Sequence, residues 1–192
     1  MTGKQKRPGG RTEQNRQAVA AAVLDLIGKC NLDFEVQEVA ALAGVHRTTL
    51  FRRWPDRGSL IAEALAEHVS RLSVEFTGDW RRDLRIAGYA LRDFLSDPVE
   101  QAMNRMLAIT DSEDFRVQMV RNWEPILDAF GQPIRMAQQR GELSETVDVD
   151  IVISMLLSPI LSRSVFMRTN ASNDLIDRLV DQIIRGCASD RC

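Results

Sequence analysis

The sequence predicts an all-α chain of about nine helices: a three-helix amino-terminal domain followed by a larger helical domain. Three observations predict it. Apolar residues return every three or four positions in almost every segment. No stretch alternates apolar and polar residues over the length of a strand. Glycines, prolines and short polar runs separate the periodic segments.

The first helix, about 12–29, carries Val19, Ala22, Val23, Leu26 and Ile27 on one face. Its apolar run AVAAAVLDLI (18–27) follows a basic start, as in a secretory leader. Asp25 interrupts that run, however, and Lys29 and Asn31 stand where a small-residue cleavage site belongs. A second helix over 36–43 has Val36, Val39, Ala40 and Ala43 as its stripe. Gly44 stops it, because glycine takes the left-handed conformation of a sharp turn without steric cost. A third helix covers roughly 47–54 and ends before Pro55, since proline disfavours helical geometry in the preceding residue. Asp56 is the N-cap of a fourth, with Leu60, Ile61, Ala64, Leu65 and Val69 as its apolar face. Beyond Gly78, helices are expected near 80–96, 98–110 and 114–140. Pro125 and Pro133 should each kink the last or begin a new helix. RGELSETVD at 140–148 is the clearest loop, and two strongly apolar helices, about 148–167 and 172–187, complete the chain.

Of the 192 residues, 44% are apolar and 27% charged, as in a soluble globular protein, and no apolar run reaches membrane-spanning length. Cys30, Cys187 and Cys192 are widely spaced, which suits free thiols in a reducing cytoplasm. The charge is divided unevenly. Residues 1–57 hold ten basic and six acidic residues (+4), and the remainder fifteen basic and twenty-one acidic (−6). A basic head on an acidic body implies a polyanionic partner for the head.

The stretch GVHRTTLFRRWPDR (44–57) gives that partner a surface. Helix 36–43, the turn at Gly44 and helix 47–54 have the order of a helix-turn-helix, spanning about 35–54. Ala40 is small where the next helix crosses, while Val45 and Leu50 pin the two helices together against Val39. With Val45 and Leu50 inward, His46, Arg47, Thr48 and Thr49 project from the first turn, with Arg52 and Arg53 beyond them. A recognition helix presents that turn to base edges in the major groove. Arginine pairs bidentately with guanine, and threonine offers a hydroxyl and a methyl. Arg57 and Thr12 stand at helix starts, where backbone amides already favour a phosphate oxygen.

The 12–72 block, GVHRTTLFRRWPDRGSL above all, resembles the amino-terminal DNA-binding domain of TetR/AcrR-type transcriptional regulators. Phe51, Arg52, Arg53, Trp54 and Pro55 match, in order, the aromatic, two variable residues, aromatic and proline that close that family's recognition helix. Arg57 matches its basic residue at the start of the fourth helix. Two positions depart from the pattern: His46 replaces a small hydroxyl cap, and Phe51 stands where tyrosine is frequent. The resemblance implies a flexible basic arm (1–11), a helix-turn-helix domain (12–72) and a helical ligand-binding and dimerisation domain (73–192). It further implies a cytoplasmic homodimer on a palindromic double-stranded operator, commonly a repressor released by a small-molecule effector. His46, Arg47, Thr48, Thr49, Phe51, Arg52, Arg53, Arg57 and Thr12 are its candidate DNA contacts. The alternative is a helical ligand-sequestering or protein-interaction dimer without DNA binding.

A single helix-turn-helix buries too little surface for specific binding, so a pairing element is expected. The broad stripes of the last two helices are the candidates, with Val152, Leu156, Ile160, Ile176, Leu179, Val180 and Ile183 as the dimer interface. Burial in the protomer's own core is the other reading of the same stripes. Tyr89, Phe94, Met103, Met106, Phe115, Met119, Trp123 and Phe130 are candidate lining for an apolar pocket, although methionines and aromatics at helical spacing also build cores. His46 and His68 lack partners at metal-ligand spacing, and no GxSxG, P-loop or GxGxxG occurs. The expectation is therefore no catalytic site, no metal and no cofactor.

Overall fold

The computed structural model describes residues 10–109, 111 and 113–188, with the side chains of residues 11, 114, 115, 118 and 188 left aside. The basic arm expected over 1–11 therefore falls almost wholly outside the described residues. Those residues form nine helices: α1 (Arg11–Gly28), α2 (Val36–Ala43), α3 (Arg47–Arg53), α4 (Arg57–Ser70), α5 (Trp80–Leu95), α6 (Pro98–Ile109), α7 (Glu113–Gln139), α8 (Val149–Val165) and α9 (Asn173–Ala188). The chain divides into two compact units, Met1–Arg71 and Leu72–Cys192. Among the described residues no helix is long and apolar enough to cross a membrane.

In the first unit α1 packs on α2 and α4, and α2 on α3. The expected apolar face of α1 is buried, together with Phe34, Val39, Val45, Leu50, Trp54, Leu60, Ala64 and Leu65. A polar tie reinforces the α1–α4 contact. Arg16 donates to Glu63 at 2.9 Å and to Glu67 at 2.7 Å on α4, while also holding Glu13 on its own helix. Asp56 caps α4 as expected. Its carboxylate accepts from the Ser59 amide at 2.7 Å, and Ser59 completes a capping box.

In the second unit α5 is the shared partner of α6, α7, α8 and α9. Trp80, Leu84, Leu91 and Leu95 lie wholly within the core. Gly88 allows α5 to come close to α8 and α9: a Cβ there would stand 2.8 Å from Ile176 Cγ2 and 3.3 Å from Leu156 Cδ1. The loop before α5 is organised by buried Asp83, which accepts from the amide and hydroxyl of Thr77 and the amide of Gly78. Helix α7 runs unbroken through Pro125 and Pro133, so neither proline begins a new helix. Each removes a single amide donor, and the turns on either side still hold.

Candidate nucleic-acid interface

The turn between α2 and α3 is set by one residue. Gly44 has φ 63° and ψ 29°, and this left-handed step returns the Val45 amide to the Ala40 carbonyl at 3.0 Å and the Gly44 amide to Ala41 at 3.3 Å. That pair of bonds closes the end of α2 and starts the chain back across it. Helix α3 then begins at Arg47. The His46 carbonyl accepts from the amides of Thr49 and Leu50, but its side chain makes no cap bond. Val45 and Leu50 are buried, and the remaining residues of α3 other than Thr49 are exposed.

Most of the candidate residues are exposed. His46, Arg47, Thr48, Arg52 and Arg53 are exposed, Phe51 is 37% exposed, and Thr49 is half-buried. Arg57, at the first position of α4, is also exposed, as is Thr12 in the first turn of α1. Two of the arginines lie over aromatic rings: the Arg47 Cζ is 5.2 Å from the Phe51 centroid, and the Arg53 Cζ is 5.1 Å from that of buried Trp54. Arg57 donates from Nη1 to Asp33 Oδ1 at 3.2 Å, an acidic partner 24 positions earlier that local pattern gave no means of finding. Nearby, the hydrogen bonds from Arg16 hold the Glu13 carboxyl below its ordinary pKa. The positive fields of Arg16 and Arg53 act in the same direction, against burial.

In the second unit the placements are mixed. Phe94 and Trp123 meet edge to face at 5.7 Å, and Phe130 makes a similar pair with Phe76 at 6.4 Å. Met103 and Met119 are buried and Met106 is half-buried, while the Phe115 side chain lies outside the described residues. A cavity of about 270 Å³ opens beside the Phe76 pair, between the loop before α5 and the Gln132–Pro133–Met136 turn of α7. Tyr89, also named for the pocket, faces α9. Its hydroxyl donates to Asp177 of α9 at 2.7 Å, and this bond, with burial, raises its pKa above the ordinary phenol value.

The residues named for the dimer interface are placed largely inside the protomer. Val152, Leu156, Ile160, Ile176, Val180 and Ile183 are buried within the protomer and Leu179 is half-buried, because α5 lies against both stripes. The outward side of α8 carries Ile151, 57% exposed, and Met155, 47% exposed.

Comparison with known proteins agrees with this architecture. The family model for the "Tetracyclin repressor-like, C-terminal domain" matches residues 74–183. The chain is 28% identical to the DNA-binding transcriptional repressor TetR of Mycobacteroides abscessus, over 91% of this chain and 94% of that protein. It is 27% identical to the HTH-type transcriptional regulator AqdR of Rhodococcus erythropolis, over 89% of this chain and 84% of that one. The crystal structure of a TetR transcriptional regulator from Agrobacterium tumefaciens superposes with a TM-score of 0.72 at 14% identity, covering 92% of this chain and 96% of the other. With a family match over more than half of its length, the chain belongs to the TetR family of transcriptional regulators.

Proposed function

We propose that this chain is a sequence-specific DNA-binding regulator: a homodimer that represses from a palindromic operator and leaves it when a small molecule binds the second unit. One observation carries the reading. The left-handed turn at Gly44 buries Val45 and Leu50, which leaves the basic, threonine-bearing face of α3 free. That face has the hydrogen-bonding chemistry of base edges, and Arg57 that of a phosphate clamp. Two such helices on one dimer read half-sites about 34 Å apart, one turn of duplex.

Ile151 and Met155 support pairing through the outward side of α8, since two large apolar side chains one turn apart gain from cover. The cavity beside Phe76, Pro133 and Met136 supports a largely apolar effector. Asp83 at its edge already accepts three hydrogen bonds, so it serves the loop rather than a ligand.

A gel shift on the duplex upstream of the chain's own coding sequence, run at two salt concentrations, tests the reading. A shift that weakens steeply with salt is expected, because displaced counterions drive association. The absence of any shift would instead favour a ligand-sequestering or protein-interaction dimer.

A further inference from the structure

We propose that Phe51 is a positioning residue that sets the base preference of α3 by holding Arg47; the inference rests on the DNA-binding reading above. The two residues stand one helical turn apart on the outward face, and the Arg47 guanidinium carbon lies 5.2 Å from the centre of the Phe51 ring. Phe51 is 37% exposed, so its ring is partly anchored by the fold while one side stays open to the arginine.

The kind of contact matters. An arginine that reads guanine needs two parallel N–H groups aimed at one base, and an unrestrained side chain loses much rotamer freedom in reaching that pose. An ion pair would restrain it but would occupy its donors, as Asp33 occupies Nη1 of Arg57. A contact through the ring face attracts the cation and leaves the planar fork of donors uncommitted. Among the described residues Arg47 makes no ion pair or side-chain hydrogen bond. Phe51 carries no hydrogen-bonding group, so its part in the preference at the base pair that Arg47 reads runs through Arg47.

Selection of duplexes from a randomised library by the full chain, compared across wild type, R47A, F51L and F51W, tests this. R47A and F51L should both weaken preference at the same base pair. The F51L loss should be about two- to fivefold, the worth of an exposed cation–π contact. Affinity for the unselected library should fall little in F51L, and F51W should keep the wild-type preference. F51L retaining that preference while R47A loses it would overturn the proposal and leave α3 as the reading helix. Loss of preference in F51W, or a uniform loss by F51L on every duplex, would also overturn it, in favour of a ring that only supports the fold. A wild-type chain that selects no sequence would remove both this inference and the DNA-binding reading.

Discussion

The Tyr89 hydroxyl donates to the Asp177 carboxylate at 2.7 Å, fixing the register of α9 along α5. The bond is the middle rung of an antiparallel polar ladder, with Arg85 on Asp181 before it and Arg92 on Asn173 after it. This ladder runs beside the tight apolar contact at Gly88. Tyr89→Phe should therefore lower the unfolding free energy by about 0.5–1.5 kcal/mol, which urea denaturation measures. Tyr89 is the chain's single tyrosine, so its ultraviolet titration can be read alone. Because the folded pKa is raised, the linked stability is complete below the unfolded phenol pKa, about 10, and is lost as pH rises through the folded value. Asp177→Asn should bring the titration back toward the ordinary range.

Gly44 pays no steric penalty for its positive φ, and a Cβ at that position would meet nothing within 4 Å. The cost of Gly44→Ala is then purely conformational, about 1–2 kcal/mol, with Gly44→Asn milder because asparagine visits the left-handed region more readily. Stability measured on the two variants should fall in that order. Equal stability of wild type and alanine variant would contradict the turn geometry.

The Arg57–Asp33 pair links an arginine proposed for phosphate to a carboxylate whose side chain is 97% exposed. So exposed a pair contributes little to folding, and Asp33→Asn should change stability by less than about 0.5 kcal/mol. Its effect should appear on DNA instead. Removing a negative charge beside the phosphates should tighten binding to all duplexes alike, by about two- to fivefold, and steepen the salt dependence. Arg57→Ala should do the reverse, again without changing base preference. Fluorescence anisotropy over a salt series measures both.

On α8 two adjacent positions separate assembly from folding. Met155→Glu, on the outward side, should give folded monomers by sedimentation. Leu156→Ala, wholly buried, should instead cost about 2–5 kcal/mol of protomer stability. Dimers persisting in Met155→Glu would remove this side of α8 from the pairing surface.

Features governed by local chemistry were legible in the sequence. Gly44 stops α2, Asp56 caps α4, and the spacing of Val45 and Leu50 turns the arginines of α3 outward; each depends on residues within a turn or two of one another. Features that depend on what lies opposite were not. Periodicity gives the stripes of α8 and α9, but not that α5 lies against them, so it does not tell a face buried in the protomer from one that pairs with a second copy. Tyr89 has its partner 88 positions away and Arg57 has its partner 24 away, and neither distance leaves a mark in the sequence. Of the two outcomes expected at Pro125 and Pro133, a new helix start does not occur, because α7 continues through both.

Amide hydrogen exchange on the full chain, with and without the duplex upstream of its own coding sequence, is the most direct test of α3 as the element that enters DNA. Added protection is expected across 46–57, centred on the first turn of α3 and the start of α4. Binding that leaves those amides exchanging as in the free protein would contradict it.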